Sequence, residues 1–348
     1  MYPKVSINIV AWDSMRFIPD LMKSIMTQTY RDFNVVVIDN GSSDEVAVFL
    51  KEHYPEVVMI RNARNLGFAG AQNQGIRYAV EHWSSSDGND RFILVTNPDI
   101  IFTPTFLEEL MAQVHLHPLC GSFGGKLLRA FGENLADEVF KETIHSDLID
   151  STGLRPHRNF TMTDRGAGVL DRGQYDTQEN VFGLSGALVL YRGQALQEAR
   201  YKDEFFDHAF FAYKEDVDLA WRLQQFGWDA LYVPKAKAYH YRGMYGPEKS
   251  GLLGKLRNWR RKSSIGNYYS TRNQWLMLIK NVQFVNGLLA IPWAFPYEGA
   301  RFVYVLFFDK GLKACLDAIR LWPVMLKKRG AIRAKSKRSA KEIRQWFV

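Results

Sequence analysis

Continuous apolar runs alternating with helix-periodic segments set the tightest limit on what this chain can become. Residues 5–10 (Val-Ser-Ile-Asn-Ile-Val), 35–38, 57–60 and 92–95 are short runs rich in Val and Ile. Between the first two, Phe17, Ile18, Leu21, Met22, Ile25 and Met26 recur at i, i+3 and i+4, the period of one buried helix face. A half-exposed strand alternates polar and apolar residues. Runs that do not alternate are buried on both faces, as when helices cover either side of a parallel sheet. The spacing also predicts a helix over about 70–81. The fold class that follows is α/β, a mixed, mainly parallel sheet flanked by helices.

Ligands of such sheets collect beyond the carboxyl ends of the strands, and those ends carry the polar clusters. Asp39 opens Asp39-Asn40-Gly41-Ser42-Ser43-Asp44, Asn65-Leu66-Gly67-Phe68-Ala69-Gly70 follows the third run, and Asn97-Pro98-Asp99 follows the fourth. Three clusters on one rim make one site. From 121 to 180 the periodicity weakens, and an irregular insertion bearing the second-substrate surface is expected there. Strand character resumes over 181–191, a helix is expected over 215–226 and a last strand over 228–233.

These signals define a catalytic domain over 1–245 and a second region over 246–348. The second region opens on a basic loop in which Lys249, Lys255, Arg257, Arg260, Arg261 and Lys262 surround Trp259. Two apolar segments follow, 285–295 and 302–308, broken by Pro292, Pro296, Glu298 and Arg301. Neither reaches the roughly 18–20 residues a membrane span needs, so amphipathic helices lying on a membrane or packing on the catalytic domain are expected.

The chain's formal net charge is +8, and its position matters more than its size. Residues 327–344 hold nine Lys and Arg against the single acid Glu342, which leaves residues 1–326 balanced. A nucleic-acid binder would spread its cations over a folded face; a basic tail after apolar helices points to an anionic membrane surface and no nucleic acid. Only two cysteines, Cys120 and Cys315, occur, and the amino terminus lacks the apolar run of a secretory signal. A cytoplasmic chain, peripheral on the inner face of the cell membrane, is the expectation.

Three stretches carry chemistry. Asn97-Pro98-Asp99 offers a carboxylate and a neutral oxygen, enough for a hard Mg²⁺-type cation whose shell phosphate oxygens and water complete. In Tyr213-Lys214-Glu215-Asp216-Val217-Asp218, three acids lie within four positions of a strongly aromatic stretch. Simple dipole partners at a helix start are the plainer reading for Glu215 and Asp218; partial desolvation by the surrounding rings would instead suit a general base. His240, in Tyr239-His240-Tyr241, becomes a metal-site candidate when paired with Asp99. Gly67 and Gly70, within Asn65-Leu66-Gly67-Phe68-Ala69-Gly70-Ala71-Gln72-Asn73, allow close backbone approach at a helix start that favours phosphate; the segment is neither a dinucleotide fingerprint nor a Walker loop.

Taken in order, 5–10, Ile38-Asp39-Asn40-Gly41-Ser42-Ser43-Asp44, 65–76, Asn97-Pro98-Asp99, 183–191, 206–222 and His240 resemble a family 2 glycosyltransferase of the GT-A (Rossmann-like) fold, in its bacterial rhamnosyltransferase-like branch. The likeness covers about 4–245 and continues through Tyr268-Tyr269-Ser270-Thr271-Arg272-Asn273. It implies that Val10, Ala11 and Asp39 line the pyrimidine of a nucleotide-sugar, and that Asn65, Gly67, Gly70 and Asn73 border the donor. It further implies that Asp99, helped by Asn97 and His240, holds Mg²⁺ or Mn²⁺ on the diphosphate. Asp216 would be the general base, Glu215 the less favoured candidate. Trp12-Asp13 stands where relatives commonly have Tyr-Asn. The implied reaction is inverting sugar transfer from dTDP-L-rhamnose, or from UDP-hexose or UDP-galactofuranose, to a lipid-linked or growing cell-envelope saccharide. A catalytically inactive sugar-nucleotide-binding or scaffold protein is the rival.

Overall fold

The computed structural model describes residues 3–83, 90–132, 143–241, 264–305, 307 and 310–348. Its first half follows the alternation read from the sequence: β1 (Val5–Ala11), α1 (Ile18–Met26), β2 (Phe33–Asp39), α2 (Val46–His53), β3 (Val58–Arg61), α3 (Gly67–His82), β4 (Phe92–Thr96), β5 (Ile100–Phe102) and α4 (Phe106–Val114). Then come β6 (Cys120–Gly132), β7 (Thr143–Ser151), β8 (Leu154–Pro156), β9 (Met162–Asp164), β10 (Glu179–Val181), β11 (Leu188–Arg192), α5 (Gly193–Ala199), α6 (Glu215–Gln225) and β12 (Asp229–His240).

The main sheet runs β10-β12-β6-β11-β4-β1-β2-β3, with β5 beside β12 and β7 beside β6. β1 is parallel to β2 and β4, β2 to β3, and β12 to β6; β11, β10, β5 and β7 run antiparallel to their neighbours. Successive strand residues point to opposite faces. Ile7, Ile9, Val35, Val37 and Leu94 pack with α1 and α4 on one side, while Val10, Val36, Ile38, Ile93 and Val95 meet α3 and α6 on the other. Burial on both faces is why the strands read as unbroken apolar runs.

The expected irregular insertion at 121–180 is corrected: its first part, β6, is a central strand of the sheet. Glycine hid it. A Cβ on Gly124 would lie 2.7 Å from Leu184, one on Gly121 would lie 2.9 Å from Trp228, and one on Gly125 would collide with the Ala236 carbonyl. Close neighbours exclude the β-branched residues that announce a strand. The expected strand over 181–191 is also two, β10 and β11, and the last strand extends to His240.

Four helices complete the chain: α7 (Ser264–Asn281), α8 (Phe284–Val305), α9 (Gly311–Lys335) and α10 (Ala340–Arg344). They are joined to the first region by a shared core of Phe182, Phe210, Val217, Trp221, Leu276, Met277, Ala318 and Met325. The basic tail is likewise docked. Lys328 Nζ lies 2.6 Å from Glu204 and from Asp207, Lys337 Nζ lies 3.2 Å from Glu198, and Arg338 pairs with Asp229 and Gln224. Lys328 and Arg338 serve as fasteners, while Lys327, Arg333, Lys335, Lys337 and Lys341 stay exposed. The basic loop 249–262 lies outside the described residues. Among the described residues no helix is long and apolar enough to cross a membrane.

Candidate active site

β12 ends at His240, whose backbone pairs with Ile100 of β5 and Arg129 of β6. That register carries the imidazole to the loop before β5, where Tyr241 N–H donates to the Asp99 carbonyl at 2.9 Å. His240 Nε2 lies 3.3 Å from Asp99 Oδ1, and His240 Nδ1 lies 2.8 Å from Asp150 Oδ2. Burial alone would push this imidazole's pKa down, but the facing carboxylates of Asp99 and Asp150 outweigh it and raise the pKa to about 10.

Asp99 Oδ1 is buried without a hydrogen-bond partner, because the imidazole beside it is close but not aligned to donate. A cation held there would take the Asp99 carboxylate and, only once the ring has lost a proton, a His240 nitrogen whose partner nitrogen is fixed by Asp150. Among the described residues no group of three or more His, Cys, Asp or Glu is placed to hold an ion. Two protein donors fit a cation whose remaining ligands are phosphate oxygens and water.

Asp216 sits on the same rim. Asn97 N–H donates to the Ala187 carbonyl at 2.8 Å, and the neighbouring Gly186 N–H donates to Asp216 Oδ2 at 2.9 Å. Two hydrogen bonds therefore connect the strand end before Asp99 to the Asp216 carboxylate. Gly186 is required, since a Cβ there would lie 2.9 Å from Asp216 Cβ. Val217 N–H donates to the other oxygen at 2.8 Å. Half-exposed and held by two backbone donors, Asp216 is the accessible acid.

Glu215 differs in kind. It is buried, its Oε2 has no partner, and burial reinforced by the Asp216 carboxylate raises its pKa well above the ordinary value. Asp218 is a structural ion, 2.8 Å from Lys280 and 3.1 Å from Arg222. Three adjacent acids thus divide into an exposed carboxylate, a buried unpaired carboxyl and a paired core charge.

The loop before them is strained. Phe211, Tyr213 and Lys214 have φ of 63°, 71° and 69°, a region that costs non-glycine residues on the order of 1 kcal/mol or more each. It is held from two sides. Arg272 Nη2 donates to the Ala209 carbonyl at 2.5 Å, and Asn273 Nδ2 lies 2.8 Å from the carbonyl oxygens of Phe210, Ala212 and Tyr213. From the other side, Ala69 N–H donates to the Phe211 carbonyl at 3.1 Å. Gly67, at φ 76°, permits that approach, since a Cβ there would lie 2.5 Å from the Phe211 oxygen.

The segment 65–73 therefore has a structural task. Leu66 N–H and Gly67 N–H donate to the side chains of Asn40 and Asn65, at 3.0 and 2.7 Å. The backbone donors expected to meet phosphate are occupied within the protein, and Gly70 only clears Leu66. Asn73 is buried, its amide bound to Phe205 N–H and to Phe206 N–H and carbonyl. At the far strand ends, Val10 and Ala11 pair with Ile38 and Asp39. Asp39 accepts from Ser42 N–H at 2.9 Å and from Arg61 Nε at 3.0 Å, and a carboxylate so held retains lone pairs for a further donor.

Sequence reasoning missed Asp150, Gly186 and Arg129. Asp150 lies in the stretch set aside as irregular; Arg129, buried 3.6 Å from Asp150, lies on the glycine-disguised strand. It did notice Arg272 and Asn273, without a role.

Residues 6–162 match the model of glycosyl transferase family 2. Over that segment, somewhat under half of its length, the chain is similar to the family 2 glycosyltransferases. The match runs from β1 to β9, so Glu215, Asp216 and His240 lie beyond it. The chain is 27% identical over 236 residues to N-acetylglucosaminyl-diphospho-decaprenol L-rhamnosyltransferase of Mycobacterium tuberculosis, covering 64% of this chain and 70% of that one. In fold it is similar to S. aureus TarS residues 1–349 in complex with UDP, with a TM-score of 0.52, 14% identity and coverage of 99% and 90%. It is also similar to the mannosyltransferase PcManGT from Pyrobaculum calidifontis in complex with GDP-Man and Mn²⁺, with a TM-score of 0.50, 13% identity and coverage of 96% and 86%. These likenesses identify the GT-A architecture.

Proposed function

We propose that this chain is a glycosyltransferase that moves L-rhamnose from dTDP-L-rhamnose onto a hydroxyl of a lipid-linked or growing cell-envelope saccharide, with inversion at the anomeric carbon. The sugar and the lipid-linked acceptor are favoured by the mycobacterial relative, whose name specifies L-rhamnose and a diphospho-decaprenol acceptor. The single observation that carries the mechanism is the Gly186 link, which ties the accessible Asp216 carboxylate to the strand end bearing Asp99.

A sugar hydroxyl is a weak nucleophile. Asp216, oriented by Gly186 and Val217, takes its proton as the oxygen attacks the anomeric carbon opposite the departing diphosphate. Glu215 is too buried to reach an acceptor and serves as a neutral neighbour. Asp39, with backbone at Val10 and Ala11, orients the pyrimidine. Asp99 and His240, with Asn97 beside them, would hold Mg²⁺ or Mn²⁺, the cation displacing the ring proton that now faces Asp99 Oδ1; such an ion supplies charge stabilisation for the leaving diphosphate. The chain works peripherally at the inner face of the membrane, where such an acceptor resides.

The test is a panel of dTDP-L-rhamnose, UDP-glucose, UDP-galactose and UDP-galactofuranose with a lipid-linked N-acetylglucosamine diphosphate, reading nucleotide release and lipid product with and without Mn²⁺. Rhamnosyl lipid from dTDP-L-rhamnose supports the reading. Preference for a UDP-sugar reassigns the donor, and absence of turnover with every donor favours the scaffold.

A further inference from the structure

Helix α8 is apolar almost all round, yet most of it faces outward. Phe284, Leu288, Ile291, Phe295 and Phe302 are exposed at i, i+4, i+7, i+11 and i+18, one face of a helix. Trp293, on the opposite side, is exposed as well. Helix α9 carries a stripe of its own, with Leu312, Leu316, Ile319 and Leu326 exposed at i, i+4, i+7 and i+14. Beside that stripe Lys313, Arg320 and Lys327, at i, i+7 and i+14, form an exposed cationic row. A cavity of about 400 Å³ beside α8 is lined by Leu289, Trp293 and Phe347 together with the guanidinium-bearing Arg158 and Arg344.

We propose that the α8–α9 face is a monotopic membrane anchor: its apolar side chains enter the acyl boundary of an anionic bilayer, and the Lys313–Arg320–Lys327 row meets the headgroup phosphates. Charge selects the bilayer over a second copy of the chain. The exposed row of Lys313, Arg320 and Lys327 faces one acid, Asp317, 3.1 Å from Arg320, so two such faces would repel where an anionic surface attracts. Pro292, Pro296 and the Glu298–Arg301 pair, at 3.2 Å, suit a helix lying in the interface rather than crossing it. This inference rests on the reading of a lipid-linked acceptor and places the membrane contact on two helices, of which α9 carries the start of the basic tail.

Flotation of the full chain with phosphatidylcholine vesicles, with and without phosphatidylglycerol, tests it. The wild type should float with both, more strongly with phosphatidylglycerol, and retain binding at high salt because burial of apolar side chains is not screened. Phe295→Glu and Leu316→Glu, both at exposed positions, should each lower partitioning about tenfold or more while circular dichroism and donor hydrolysis stay unchanged. Wild-type protein that ignores both vesicles, or a Phe295→Glu/Leu316→Glu chain that floats like wild type, overturns the anchor. So does a lipid-free dimer that the same double substitution dissociates, which would give the face to a second copy. Sugar transfer to a short water-soluble acceptor is read in parallel: transfer without flotation sinks the anchor alone, and flotation without transfer sinks the catalytic reading alone.

Discussion

The Tyr213 carbonyl oxygen lies 2.8 Å from Nδ2 of Asn273, so a residue sixty positions further along the chain fixes the backbone two residues ahead of Glu215. The same amide reaches Phe210 and Ala212. Of the three positive-φ residues in this loop, Tyr213 has its carbonyl bound by α7 and Phe211 by Ala69 N–H, while α7 also holds the carbonyls of Phe210 and Ala212 between and beside them.

Removing that amide should loosen the loop. Asn273→Ala is expected to lower kcat about 10²-fold with little change in the Kd of the nucleotide donor, since a displacement of about 1 Å at the base is enough to do so. Steady-state kinetics with isothermal titration separates the two quantities; an unchanged kcat would show that the clamp does not position Asp216.

The carboxylate itself has a sharper signature. Asp216→Asn preserves shape and removes the proton acceptor, so kcat should fall roughly 10²–10⁴-fold while donor affinity and Tm hold. Full turnover by this variant would remove Asp216 from the chemistry.

Glu215 predicts a pH effect of definite sign. Its folded pKa is raised above the ordinary 4.5, so the folded chain holds the proton more tightly than the unfolded one. Stability from this group is therefore full at pH below 4.5 and declines as pH climbs toward the raised value. Glu215→Gln should match wild type in denaturant unfolding at acidic pH and exceed it at neutral pH. A variant less stable than wild type at neutral pH would contradict this.

The docked tail makes a fourth case. Burial alone would raise the pKa of Asp207, but Lys280 and Lys328 hold it below the usual carboxylate range. Lys328→Met leaves Glu204 with His208 at 3.8 Å and Asp207 with Lys280, and should cost about 3 kcal/mol, the lower end for a broken buried pair. Chemical denaturation measures it; a loss under about 1 kcal/mol would make the pairing incidental.

The parallel half of the sheet was legible because its strands are buried on both faces and so write themselves as Val- and Ile-rich runs. The rim residues were legible for a related reason: Asp39, Asn97 and Asp99 follow those runs directly. β6 was not, because tight packing against Leu184, Ala195 and Ala236 forces glycine where propensity rules look for branched side chains. Nor was the fate of the tail, since charge counting sees Lys328 and Arg338 but not Asp207 and Asp229, more than a hundred positions away. Long-range pairing of buried ions leaves no local mark.

Because Asn273 and Lys280 reach back into the loop ahead of Asp216, a chimera joining residues before α7 to another protein's carboxyl-terminal helices would inherit the acid without the grip that aims it. Any graft meant to retarget this chain must keep α7 with its own loop, and swap only what lies further out.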